Sequence, residues 1–128
     1  MNEPIARQLA DTIRQTAFEA HTFLRNGHNE KVYENSLRNR LRKKYFSVEQ
    51  QKAILVYDED GSPLGEFVAD LVVNQEFIVE LKAVRALADE HTAQILGYLR
   101  ASRLEHGMLI NFGAPRIQFQ KYILRQVD

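Results

Sequence analysis

Apolar residues recur at intervals of three or four over residues 4–24, at Ile5, Leu9, Ile13, Ala17, Ala20 and Leu24. That spacing predicts a first helix with one buried stripe. Asn26-Gly27 reads as its stop signal, since both residue types tolerate left-handed backbone. Asn29 is placed to cap a second helix that runs to about residue 44, with Tyr33, Leu37 and Leu41 as its buried line. Residues 47–57 carry Val48, Ile54, Val56 and Tyr57, and the dense turn signal Asp58-Glu59-Asp60-Gly61-Ser62-Pro63 follows. A hairpin is expected, with its return strand over residues 65–73 and a third antiparallel strand over 76–84. A helix over about 88–104, ended by His106-Gly107, precedes two further strands at 108–112 and 117–124. The order is ααβββαββ, an α/β (α+β) arrangement of a sheet with helices on its faces. No repeat or linker divides it, so a single domain over residues 1–128 is expected.

The second and third strands carry charge in an unusual place. Phe67, Ala69, Leu71 and Val73 alternate on one strand, and Phe77, Val79, Leu81 and Ala83 on the next, giving one wholly apolar face. The other face holds Val68, Asp70 and Val72 opposite Ile78, Glu80, Lys82 and Val84. A solvated outer face is the commoner reason for alternate charges. Here, however, four of those seven residues are Val or Ile, so the face is mostly covered and its charges need partners or a metal. Register matters as well. A two-residue loop would set Asp70 opposite Val79, whereas the three-residue loop Asn74-Gln75-Glu76 pairs Val73 with Phe77, Val72 with Ile78 and Asp70 with Glu80. The hydrophobic pattern selects the second without help from function.

Composition narrows the class only slightly. Seventeen basic residues balance seventeen acidic ones, so attraction to nucleic acid has to be local. The most concentrated basic run is Arg38, Arg40, Arg42, Lys43 and Lys44, more often a solvated helix face than a phosphate track. The absence of cysteine excludes a disulfide framework and thiolate zinc sites, and His21, His28, His91 and His106 lack zinc-ligand spacing. No apolar run reaches the length of a signal core or membrane span, so a soluble, unprocessed, cytoplasmic protein without a membrane partner is expected.

Asp70, followed after a hairpin by Glu80-Leu81-Lys82, matches the D…ExK signature, and Gly27, Glu30 and Tyr33 spell GxxExxY. In order with them stand His21, Ala69-Asp70-Leu71, Glu80-Leu81-Lys82-Ala83-Val84, Ala93-Gln94-Ile95-Leu96 with Tyr98-Leu99, and Leu109-Ile110-Asn111-Phe112-Gly113. Together these resemble the GxxExxY family of the PD-(D/E)XK nuclease superfamily over about residues 12–124. One departure is Leu24-Arg25-Asn26-Gly27, where that family tends to have Leu-Gly-Pro-Gly.

The resemblance implies a restriction-endonuclease-like core with a mixed central sheet, and a metal-dependent nuclease acting on nucleic acid, DNA in the first place. It implies Mg2+, or Mn2+, held by Asp70, Glu80, the Leu81 backbone carbonyl and Glu30 as an extra acid. Lys82 would orient or help deprotonate the attacking water. Glu30, Asp70, Glu80 and Lys82 form the expected catalytic group. Gln94 and Tyr98, one helical turn apart with His91 a turn earlier, resemble the QxxxY pattern of RecB-like exonucleases, where such a helix flanks the site and contacts substrate phosphate or the metal ligands. Gly97 between them is expected to let that helix approach the sheet. A catalytically silent nucleic-acid-binding or scaffold domain is the alternative, and an ion-pair network at a homodimer interface a third reading.

Overall fold

A computed structural model describes residues 1–125. Helix α1 (Glu3–Leu24) starts where the Asn2 side chain accepts the Ile5 amide at 3.0 Å, with Pro4 in its first turn. Its buried stripe is Ala6, Leu9, Ala10, Ile13, Ala17 and Ala20, while Ile5, expected on that stripe, is exposed. The helix ends at Arg25, whose φ of 62° is left-handed, and Gly27 follows at φ 116°. The reversal thus begins one residue before the expected Asn26-Gly27. Helix α2 (Glu30–Lys43) is capped by Asn29 and buries Tyr33, Leu37 and Leu41.

Strands β1 (Val48–Tyr57), β2 (Pro63–Val73) and β3 (Phe77–Lys82) form an antiparallel meander. Helix α3 (Asp89–Ser102) then carries the chain to β4 (His106–Asn111), which runs parallel to β3, and β5 (Gln118–Ile123) returns antiparallel. The result is a five-stranded mixed sheet in the order β1-β2-β3-β4-β5. Helices α1 and α2 pack on one face through Leu71, Val73, Phe77, Val79, Leu81, Met108 and Ile110. Helix α3 covers the other through Ile54, Ala69, Val72, Ile78 and Leu109. Burial of these side chains contributes about 1.5–3 kcal/mol each for the larger aliphatic ones.

His106-Gly107 does not end α3. Arg103, left-handed at φ 64°, does that, and His106 opens β4. Gly97 also differs from expectation, because a Cβ there would have open space. The close approach of α3 lies at Gly107 instead, where a Cβ would come within 3.1 Å of Ile95.

The β2–β3 register matches the three-residue loop: Val73 pairs with Phe77, Val72 with Ile78 and Leu71 with Val79. The single-face assignment of Phe67, Ala69, Leu71 and Val73 is corrected. Leu71 and Val73 face α1 and α2, but Ala69 and Phe67 lie with Val72 on the α3 side, Phe67 packing 4.6 Å from the Tyr98 ring. The alternation slips at Asp70. Opposite it, Gln51 has φ 53°, and the β1–β2 ladder skips this one position.

Candidate functional site

The slip in alternation turns the Asp70 side chain toward β3. Backbone pairing between β2 and β3 extends only to Leu71 and Val79, and beyond it carboxylates take over. Oδ2 of Asp70 accepts the Leu81 amide at 2.9 Å, and Oε2 of Glu80 accepts the Asp70 amide at 3.3 Å. The strands therefore part around two acids, each of which accepts an amide of the opposite strand. The Leu81 N–H points at Asp70. In extended chain a residue's N–H and C=O share one direction, so the Leu81 carbonyl faces the same gap.

Glu80 is buried, 3% exposed, and its Oε1 has no hydrogen-bond partner. Burial pushes its carboxyl up to about 10, helped by the hydrogen bond and charge of Asp70. Such a group is either protonated or paired with a cation. Glu30 stands at the first position of α2, half-buried, and its carboxyl is raised by burial and then by the Asp70 charge. Its place depends on the loop before it. Tyr33 donates to the Arg25 carbonyl at 2.5 Å, accepts the His28 amide at 3.2 Å and stacks on Phe112 at 4.8 Å. Gly27 and Tyr33 of the GxxExxY pattern thus shape the turn that delivers Glu30.

On the α3 side, Lys82 donates from Nζ to Oε1 of Gln94 at 2.9 Å. Tyr98 is nearly buried, and its hydroxyl is raised by burial and then by the charges of Glu80 and Asp70, opposed by a hydrogen bond from Gln94. Tyr98 therefore lies within the field of the acids and Gln94 meets Lys82, whereas His91 turns back and accepts the Ala88 amide at 3.0 Å as a helix cap. Behind Lys82, buried Asn111 accepts the amides of Val84 and Gly113, both at 3.0 Å. Gly113 lies so near that a Cβ would meet the Val84 nitrogen at 2.3 Å. The Asn111-Phe112-Gly113 segment thus clamps the chain leaving β3. His21 is a packing residue whose Nε2 donates to the Ala114 carbonyl at 3.0 Å.

The basic run on α2 is mostly spent within the fold. Arg38 donates to Gln50, Arg40 to Ser36, Arg42 to the Val48 carbonyl, and Lys44 to Thr16 and Glu19. These contacts tie the run to its own fold, and within it, among the described residues, only Lys44 meets a carboxylate, that of Glu19.

Two residues of the neighbourhood had no sequence signal beyond their polarity. Glu34 of α2 is 2% exposed, and Lys31, Gln50 and Gln51 all donate to it. Gln51 also donates to Oδ1 of Asp70 at 3.3 Å. Together Asn29, Glu30, Lys31, Glu34, Gln51 and Asp70 line a cleft of about 340 Å3. The partners of Glu34 in β1 meet it only through the packing of α2 against that strand.

Among the described residues, no three His, Asp or Glu side chains converge at metal-ligand spacing. Asp70 and Glu80 nevertheless fit a hard divalent cation. They are adjacent carboxylates, the unpartnered Oε1 of Glu80 lacks what a cation would supply, and oxygen donors are what Mg2+ and Mn2+ take.

The profile of the PD-(D/E)XK nuclease superfamily matches residues 7–123. The chain belongs to that superfamily. The fold of this PD-(D/E)XK domain is shared by a crystal structure of SSO0001, with TM-score 0.61 and 18% identity, over 76% of this chain and 50% of that one. The chain thus spans about half the length of that solved structure. A search among curated proteins finds no match. Among the described residues, no helix is long and apolar enough to cross a membrane.

Proposed function

We propose that this PD-(D/E)XK domain is a metal-dependent nuclease that hydrolyses phosphodiester bonds, with DNA as substrate, and that it belongs to the GxxExxY family. The observation that carries this reading is the contact of Asp70 with buried Glu80 where β2 and β3 part, with Lys82 on the next outward position of β3. Asp70 and Glu80, with the Leu81 carbonyl, would hold Mg2+ or Mn2+, and Glu30 stands in reserve at the α2 end. The ion, when bound, supplies Lewis-acid polarisation of the phosphate and a more acidic water.

The protein side chains carry the remaining tasks. Lys82, its ammonium aimed by Gln94, orients the attacking water and offsets charge that grows on the phosphate oxygens in the transition state. Gln94 and Tyr98 offer a donor set on the α3 rim for the backbone of the substrate. The single-domain organisation and cytoplasmic location go with this reading.

The test is cleavage of single- and double-stranded DNA and RNA by the purified protein with Mg2+ or Mn2+, beside an Asp70→Asn control. Metal-dependent cleavage of DNA, lost in the control, is expected. Metal binding without cleavage of any of the four substrates would replace the nuclease by a silent binding domain.

A further inference from the structure

We propose that Gln51 is a positioning residue of this site, which fixes the Asp70 carboxylate from the side opposite β3. Gln51 is the middle of a chain of side-chain hydrogen bonds. Its Nε2 lies 2.9 Å from Oε1 of Glu34 and 3.3 Å from Oδ1 of Asp70, so one amide group bridges an acid of α2 and an acid of β2. Glu34 is an anchor for that bridge. It is 2% exposed and held by Lys31 at 2.9 Å and by Gln50, whose own Oε1 accepts from Arg38 at 2.5 Å and whose amide also donates to Asn35 at 2.8 Å.

The backbone supplies a second, independent observation. Gln51 sits within a β-strand yet has φ 53°, a conformation that side chains with a Cβ rarely adopt. The neighbouring pairs, Gln50 with Leu71 and Lys52 with Ala69, keep the same register, so nothing is inserted and only this one position leaves the ladder. A regular strand would point the Gln51 side chain to a sheet face and pair its backbone with Asp70. The left-handed turn releases both residues: Gln51 reaches to Glu34, and Asp70 turns into the gap beside Leu81. Asp70 is then held at both oxygens, Oδ1 by Gln51 and Oδ2 by the Leu81 amide. A carboxylate so fixed presents one orientation to a cation, and partners of that kind commonly change metal affinity by about 10–100-fold when removed.

The metal part of this inference rests on the nuclease reading, but the placement of Asp70 does not. Two variants separate side chain from backbone. Gln51→Asn tolerates the left-handed conformation better but is too short to span Glu34 and Asp70, and Gln51→Gly keeps the conformation without any amide. Hydrogen exchange of the metal-free protein is the first readout. With Asp70 loosened, the Leu81 amide should exchange at least about tenfold faster in both variants, while Ile78 and Val79 stay protected and the melting temperature holds. Calorimetric titration with Mn2+ is the second, with an affinity loss of about tenfold or more. Unchanged Leu81 exchange in both variants overturns the proposal, whatever the metal result. Faster Leu81 exchange with Mn2+ affinity unchanged in both variants and in Asp70→Asn leaves the positioning intact and removes Asp70 as a metal ligand.

Discussion

Asp70 and Glu80 occupy the first position at which β2 and β3 cease to pair, and each carboxylate accepts a backbone amide from the opposite strand, at 2.9 and 3.3 Å. The sheet opens there without leaving amides unsatisfied. The remaining orphan is an acid oxygen, Oε1 of Glu80, in a site that two charged carboxylates cannot share without a proton or a cation.

That relationship sets the pH response of the metal-free protein. The Glu80 carboxyl, ordinarily near 4.5, is pushed up to about 10 in the folded state. Between those values the folded protein holds one more proton than the unfolded chain, so this group's stabilising contribution is complete below 4.5 and is lost as pH rises toward 10. The slope cannot exceed about 1.4 kcal/mol per pH unit. Thermal melts in chelator from pH 5 to 9 should show a falling melting temperature, and Glu80→Gln should flatten the fall and be the more stable protein at the alkaline end.

Cation binding should reverse the same balance. A divalent ion at Asp70 and Glu80 displaces the Glu80 proton, so about one proton is released per ion bound. Titration calorimetry with Mn2+ at one pH, in buffers of different ionisation enthalpy, measures that number. The rise in melting temperature with millimolar Mg2+ should be larger at pH 8.5 than at pH 6, and absent in Asp70→Asn.

Lys82 separates catalysis from architecture. In Lys82→Met the aliphatic stem survives and the ammonium that meets Gln94 is lost. Metal affinity should hold or increase, because a repelling charge has gone, while the cleavage rate should fall by about 10²–10⁴-fold. Wild-type cleavage by the folded variant would take Lys82 out of the mechanism.

Two glycines should respond in opposite senses. Gly97 lies inside α3 with free space at its Cβ position, so Gly97→Ala should stabilise by about 0.5–1 kcal/mol. At Gly113 a Cβ would strike the backbone of Ala83 and Val84 at 2.3–2.5 Å. Gly113→Ala should cost about 3 kcal/mol, the upper range for overpacking, and should depress cleavage further by shifting the chain that leaves Lys82. Denaturant melts of the two proteins against wild type check both signs.

The order of helices and strands, the caps at Asn29 and the odd-length loop at Asn74 to Glu76 were determined by the sequence itself. Period, cap chemistry and turn residues act within a few positions of the chain, and a β-register mismatch there would have moved a whole apolar set to the wrong side. That register brings Asp70 level with Glu80, and the slip at Asp70 turns its carboxylate into the gap. Tertiary structure alone decided the rest. Gln51 and Glu34 are 17 residues apart and Gln51 and Asp70 19, so no local pattern announces their contacts or the left-handed residue that makes them possible. The slip that sends Ala69 to the α3 side comes from that same residue, and alternation counted along β2 alone runs straight through it. The basic run on α2 likewise looked free because its acceptors, the Gln50 side chain, the Val48 carbonyl and Thr16, come from β1 and α1. Where a charge ends up depends on which strand or helix packs against it, and that is fixed only when burial of the two apolar faces brings distant segments into contact.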